Sequence, residues 1–265
     1  MDFVKMHACG NDYVYFEKKG QSIDELKELS VRISDRHKGV GSDGIIAIER
    51  TDDGIAADIY NSDGSRALNC GNGIRCAAVY AKKYMGINGD PVGVRTLAGK
   101  SKVFIGRAGR KTVVTAEMIF PRLIFSSRDL CERLQKTDLY VNERDVFAVD
   151  AGNAHAVFFS GLPLSVAVRH ALGTAAFKGG VNVECVICTQ EGLRAEVFEN
   201  GSGRTLACGS GAVACAYSAV LSGRAKKDEF IPIAMDGGEL LVKICDDKAF
   251  LKGEVEEVFR GHYEV

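Results

Sequence analysis

Asn69-Cys70-Gly71-Asn72-Gly73 runs into IRCAAVYAKKY, and Ala207-Cys208-Gly209-Ser210-Gly211 runs into AVACAYSAV. Each stretch is Cys-Gly-x-Gly leading into small residues, and helices are predicted over 71–84 and 209–221. Both helices are rich in Ala, Val and Cys and carry little charge. A helix that is apolar on all sides is a buried one. The segments around them read mostly as strands, with period-two apolar patterning or β-branched enrichment. Each half of the chain is therefore expected to be a curled mixed sheet, or barrel, around one central helix, with a cysteine at that helix's N-terminus. The fold class is α+β.

The likeness of the halves extends beyond the cysteines. Gly10-Asn11 in HACGNDYVYF is echoed by Gly152-Asn153 in DAGNAHAVFF, and Lys38-Gly39 by Lys178-Gly179. Asn61 stands nine residues before Cys70, and Glu199 nine before Cys208. The landmarks keep their order, at offsets from 138 residues (Cys70 to Cys208) to 142 (Asn11 to Asn153). A shared offset over several landmarks marks an internal duplication. Two similar domains are expected, residues 1–115 holding Cys70 and residues 116–265 holding Cys208. A last strand near 247–258 is expected to return to the first domain. Strands are expected at 3–7, 13–17, 44–48, 56–60, 92–97, 102–105 and 112–117. In the second half they fall at 146–149, 154–159, 182–187, 194–198, 230–233, 239–244 and 249–255. Two further helices are expected at 22–34, opened by the capping box Ser22-Ile-Asp-Glu25, and at 165–172.

The totals exclude several classes. The chain of 265 residues has 46% hydrophobic and 26% charged residues and a net charge of −1. That is an ordinary globular balance, with no basic field for nucleic acid or an anionic membrane. The N-terminal MDFVKMHACGNDYVYF carries charge early and reads as neither signal peptide nor membrane span, so a cytoplasmic protein is expected. Nine cysteines are an odd number and, in a reducing compartment, are expected as thiols. Cys185 and Cys188 share a strand-like segment, where i and i+3 point to opposite faces and make poor co-ligands, so no metal site is expected.

A helix N-terminus stabilises an anion and lowers the pKa of a thiol placed there. Two such thiols suit one reaction well: one takes a proton from one face of a carbon and the other returns a proton to the opposite face, inverting the centre. The carbanion of an amino acid needs donors at its carboxylate, which becomes enolate-like. Backbone N–H groups at 71–73 and 209–211 would supply them. No lysine in a cofactor context and no phosphate cradle is evident, so no cofactor is invoked. The plain alternatives are two buried helix-capping thiols, turn chemistry for Asn11, Asn61, Asn153 and Asn182, and a strand-end charge for Glu199.

HACGNDYVYF, NSDGSRALNCGNGIRCAA, GNAHAV, GVNVE and FENGSGRTLACGSGA resemble the motif series of the diaminopimelate epimerases along the whole chain. The resemblance implies a diaminopimelate epimerase-like fold of two pseudo-symmetric domains closing on an amino-acid substrate, commonly as a homodimer. It implies cofactor-independent interconversion of LL- and meso-diaminopimelate for lysine and cell-wall synthesis. Cys70 and Cys208 would be the acid–base pair. Gly71-Asn72 and Gly209-Ser210 would hold the reacting carboxylate. Asn11, Asn61, Asn153 and Asn182 would bind polar groups, Glu199 would accept from an ammonium, and His155 would support the site beside Asn153.

The chain departs from this family where Glu199-Asn200 stands for the usual Glu-Arg. That arginine would clamp the distal carboxylate with a bidentate fork, which the Asn200 amide lacks. Arg204 stands four residues on, either as a replacement clamp or as a solvated charge. The departure raises a second reading, a racemase of another amino acid such as histidine or lanthionine. A thiol-rich redox or zinc protein is the reading from another class. A phenazine-biosynthesis-type isomerase would share the fold without the paired cysteines.

Overall fold

A computed structural model describes residues 1–177 and 179–264. The landmark Lys178 and the end of the expected second domain, Val265, lie outside the described residues. The strands of the first part are β1 (Asp2–Ala8), β2 (Asn11–Glu17), β3 (Gly44–Thr51), β4 (Gly54–Asn61), β5 (Arg66–Ala67), β6 (Val92–Thr96), β7 (Gly99–Ala108) and β8 (Lys111–Met118). Next come β9 (Arg122–Phe125), β10 (Val146–Asp150), β11 (Ala154–Phe158), β12 (Asn182–Cys188), β13 (Leu193–Glu199), β14 (Gly203–Thr205), β15 (Phe230–Met235), β16 (Gly238–Ile244) and β17 (Ala249–His262). The helices are α1 (Ile23–Ser34), α2 (Gly71–Tyr84), α3 (Ser127–Gln135), α4 (Leu164–Gly173) and α5 (Gly209–Leu221). The chain divides into two compact units, Met1–Glu117 with the described residues from Lys252 onward, and Met118–Leu251.

In the first unit β1, β2, β3, β4, β6, β7, β8 and β17 pair in that order, and β17 pairs back with β1, so the sheet closes into an eight-stranded barrel. Pairing is antiparallel except at β2–β3 and β4–β6. Parallel neighbours need a crossover. The first is made by α1, which opens with Ser22 and Glu25 capping each other and buries Leu26, Leu29 and Ile33 on the sheet. The second is made by β5 and α2. Helix α2 packs against β1, β2, β3, β4, β6 and β7 and is buried from Gly71 through Ala78, so it fills the barrel. Small side chains let it fit, and the wall residues Ile46, Ile48 and Ile59 are each worth about 1.5–3 kcal/mol of burial.

The second unit repeats this connectivity. Strands β10–β11, β12–β13 and β15–β16 pair antiparallel, β11–β12 and β13–β15 pair parallel, and β14 adds beside β13. Helix α4 makes the first crossover, while β14 and α5 make the second. Helix α5 packs against β10, β11, β12, β13, β15 and β16. Helices α3 and α4 cover the outside of β10 and β12, with Leu130, Leu134, Ala167 and Ala171 in that layer. Two halves of one topology, each a curled mixed sheet around a helix, make the fold α+β and pseudo-symmetric. Among the described residues no helix is long and apolar enough to cross a membrane.

Helices α2 and α5 fall on the expected bounds, most strands run one to several residues beyond theirs, β6 and β11 end one residue short, and α3, β5, β9 and β14 appear where the sequence suggested no element. Strand β17 extends to His262, and its register with β1 runs from Asp2↔His262 to His7↔Glu256.

Candidate active site

Each central helix begins on its cysteine. Cys70 is the N-cap of α2 with extended backbone, and its Sγ accepts from the Gly73 N–H at 3.3 Å. Cys208 caps α5 in the same way, its Sγ accepting from the Gly211 N–H at 3.3 Å. A thiol here takes the place of the usual Ser or Asp cap. The glycine at the third helical position is required by space. A Cβ on Gly73 would come within 2.6 Å of Ile46 Cδ1, and one on Gly211 within 2.6 Å of Glu184 Oε1.

Around Cys70, the turn Cys9-Gly10, with φ of 53° and 78°, reverses β1 into β2 and sets Asn11 at the start of β2. Positive φ at both central residues is the hairpin geometry that matches strand twist. The Cys70 thiol donates to Asn11 Oδ1 at 3.4 Å, while Asn11 Nδ2 donates to Asp43 Oδ2 at 2.8 Å. Asn72 is buried, and its Oδ1 accepts from Arg75 Nη2 at 2.6 Å; Arg75 Nε donates to the Gly71 carbonyl at 3.3 Å. Asn61 stands opposite Gly44 in the β3–β4 register, and its Nδ2 donates to Ser65 Oγ at 2.9 Å. The Asx-type turn in this segment is centred on Asp63, whose Oδ1 accepts from the Ser65 N–H, and not on Asn61.

Around Cys208, Asn182 pairs with His155 across the parallel β11–β12 junction. His155 is fully buried, with Nε2 at 2.8 Å from Asn153 Oδ1 and Nδ1 at 2.7 Å from Glu184 Oε1. Glu184 is fully buried too, and its Oε2 has no hydrogen-bond partner among the described residues. Asn182 Oδ1 accepts from the Asn200 N–H at 2.8 Å. Thr205 Oγ1 donates to Glu199 Oε1, and the Ser210 hydroxyl lies 3.4 Å from Cys208 Sγ. Burial pushes the Glu199 carboxyl up, against hydrogen bonding from Thr205 and Cys208.

The structure departs from one expectation of charge. The helix end was expected to lower both thiols, but the Cys208 thiol is pushed well above its ordinary value, first by burial and then by the carboxylates of Glu199 and Glu184. The Ser210 and Gly211 donors act the other way and are outweighed. Arg204 is an exposed side chain whose Nη2 lies 2.8 Å from Glu196 and 3.0 Å from Asp236. Cys185 and Cys188 lie on β12, half-buried and exposed respectively.

The structure gathers Asn11, Gly71 and Asn72 around Cys70, and Asn153, His155, Asn182, Glu199, Asn200, Gly209 and Ser210 in the network about the first turn of α5, while Asn61 is engaged by Ser65 in the turn after β4. Sequence reasoning missed Arg75, Asp43 and Glu184. Arg75 was signalled as the one charge in the first two turns of α2, whose other charges are Lys82 and Lys83 in its last turn, and Glu184 as a charge inside an apolar strand.

In each unit of this duplicated fold a thiol caps the central helix. The fold is shared by a phenazine biosynthesis protein of the PhzF family from Bacillus anthracis, with a TM-score of 0.72 at 14% identity over 100% of this chain and 99% of that chain. It is also shared by a hydroxyproline epimerase from Agrobacterium vitis, with a TM-score of 0.65 at 15% identity over 98% of this chain and 90% of that chain. At these identities the likeness is one of fold alone. A family model for diaminopimelate epimerase matches residues 3–120 and 142–258. The diaminopimelate epimerase of Bacillus licheniformis is 36% identical over 280 residues, covering 98% of this chain and 97% of the relative. That of Bacillus subtilis is 34% identical, covering 98% of each. The chain belongs to the diaminopimelate epimerase family and is an isomerase.

Proposed function

We propose that Cys70 and Cys208 are the two acid–base groups with which this chain interconverts LL- and meso-diaminopimelate in lysine biosynthesis. The observation that carries the assignment is the repeated one: each central helix opens on a thiol, in units of one topology. One thiolate takes the α-proton, and the electron pair left on carbon moves into the carboxylate. The other thiol gives its proton to the opposite face, and the centre is inverted. The enzyme ends with the proton on the other sulfur.

The Gly73 N–H is directed to Cys70 Sγ and the Ile74 N–H to the Cys70 carbonyl. The Gly71 and Asn72 N–H groups ahead of them are assigned to the reacting carboxylate. Gly209 and Ser210 take the same role in the second unit. Donors held by a helix end need no reorganisation as charge builds on the carboxylate. Asn11, Asn61, Asn153 and Asn182 are assigned to the substrate's polar groups, and Glu199 to an ammonium. His155 supports Asn153 through its 2.8 Å contact. Asn200 is assigned to the distal carboxylate, with no fork to offer, while Arg204 is engaged by two surface carboxylates. A cytoplasmic homodimer belongs to the same reading, and the thiols of the nine cysteines fit a reducing compartment.

The racemase of histidine or lanthionine, raised by Asn200, is not favoured by relatives that cover nearly the whole chain. The test is to supply LL-diaminopimelate in deuterated water with reductant, with L-histidine and lanthionine in parallel. Meso product carrying one α-deuterium is expected. Exchange on another amino acid with none on diaminopimelate would overturn the assignment.

A further inference from the structure

The two units match strand for strand, so their differences at equivalent positions can be read directly. Gly73 and Gly211 are the third residues of α2 and α5. The side chain that a Cβ at Gly73 would meet is the aliphatic Ile46, and at Gly211 it is the carboxylate Glu184. Five residues after each cysteine stand Arg75 and Val213. Equivalent places beneath the first turns thus carry Ile46 with Arg75 in one unit and Glu184 with Val213 in the other. One helix end has a fully buried cation, the other a fully buried carboxylate.

The Arg75 guanidinium reaches back to the first turn of α2, bonding the Gly71 carbonyl and Asn72 Oδ1. Its charge adds to that of the helix end beside Cys70. Other groups act on Cys70 from the packed elements. Strand β2 presents two groups of opposite effect: the Asn11 Oδ1, 3.4 Å from Cys70 Sγ, accepts from the thiol and disfavours the anion, while the buried Tyr13 hydroxyl hydrogen-bonds with Cys70 and favours it. Asp43, in the approach to β3, is separated from the sulfur by the Asn11 amide and is bonded by Arg36 at 2.9 Å. The first hairpin sets Cys9 beside Arg75, and Cys76 of α2 and Tyr15 of β2 lie deeper, fully buried. Asp58 of β4 is taken by Lys18 and Arg66.

The groups acting on Cys208 have the opposite balance. Strand β13 presents Glu199 and β12 presents Glu184, with His155 of β11 bonded to the latter. The Ser210 hydroxyl and Gly211 N–H are the donors on α5, and Cys215 lies deeper in it. A nearby cation favours a thiolate and nearby carboxylates disfavour one.

Resting on the two-thiol reading above, we propose that the buried Arg75 and Glu184 make the resting enzyme asymmetric, with Cys70 held as the thiolate base and Cys208 as the protonated acid. Both are positioning residues that act through the helix ends. The free enzyme is then poised to take a proton with Cys70 and return one from Cys208. Reversal requires the proton distribution to swap.

Alkylation of the substrate-free protein by iodoacetamide across a pH series tests this, with the Cys70 and Cys208 peptides quantified by mass spectrometry. Accessibility sets the plateau rate of each, whereas ionisation sets its midpoint. The Cys70 midpoint is expected at least about one pH unit below that of Cys208, a tenfold difference in proton affinity. Glu184→Gln should lower the Cys208 midpoint and leave that of Cys70 in place. Arg75→Met should raise the Cys70 midpoint alone. If Cys208 alkylates too slowly to follow, the ultraviolet thiolate absorbance at neutral pH decides: it should be lost in Cys70→Ala and kept in Cys208→Ala. Level or reversed midpoints, an order that survives both replacements, or thiolate absorbance lost in Cys208→Ala would overturn the proposal. No substrate is present, so failure to turn over diaminopimelate would leave this result standing, and the reverse.

Discussion

His155 Nδ1 and Glu184 Oε1 lie 2.7 Å apart, and neither side chain has any exposed surface. The other Glu184 oxygen lacks a hydrogen-bond partner among the described residues. Removing one partner of a buried pair leaves the other desolvated without compensation, at about 3–5 kcal/mol. His155→Ala should therefore destabilise the protein by about 3 kcal/mol, read as a lower denaturant midpoint. A loss under about 0.5 kcal/mol, as for a surface residue, would contradict this burial.

Gly211 and Glu184 make a second constraint. An alanine at 211 would place its Cβ 2.6 Å from Oε1 of Glu184, a side chain that is fully buried and held by His155. Gly211→Ala should destabilise by about 1–3 kcal/mol through overpacking and depress turnover as the first turn of α5 shifts. Wild-type stability and rate in this variant would show that the approach is not needed.

The departure at Asn200 can be tested from both sides. Asn200→Arg restores a fork near the assigned distal carboxylate, and a lower KM for diaminopimelate is expected with little change in kcat. Arg204 sits in an exposed network with Glu196 and Asp236, where solvent screens each pair. Engaged there and not at the assigned distal carboxylate, it should be replaceable: Arg204→Ala should change kcat/KM by less than about twofold. A large rise in KM in that variant would make Arg204 the clamp.

Glu199 gives stability a pH dependence of known sign. Burial raises its carboxyl above the ordinary value of 4.5. The folded state then binds its proton more tightly than the unfolded state, and stability falls as pH rises through the folded value. Glu199→Gln should be more stable than wild type at neutral pH, with the gap closing as pH falls toward the ordinary carboxyl range. Paired urea titrations at several pH values measure it. A gap that widens at low pH would reverse the sign.

Much of this was legible in the sequence because the signals are local. Ser22 and Glu25 announce α1, and the glycine-rich caps with their Ala-rich sequels announce α2 and α5 to the residue. Helix α3 was legible and passed over: Ser126 caps it, and Leu130 and Leu134 recur at helical spacing. The two-residue β5 and three-residue β14 carry too few side chains for any period. The charges at the helix ends were illegible for another reason. Glu184 and His155 are 29 residues apart, and only the parallel β11–β12 pairing brings them together. Burial of Arg75 follows from closure of the barrel around α2, which no window of sequence reports.

The central claim is that each thiol serves one face of the substrate's α-carbon. Its most direct test is the rate of meso-diaminopimelate formation from the LL isomer by Cys70→Ala and Cys208→Ala, each verified as folded. Loss of net inversion in both is the expected result, because neither sulfur can act for the other. Near-wild-type epimerisation by either single variant would contradict the two-base account.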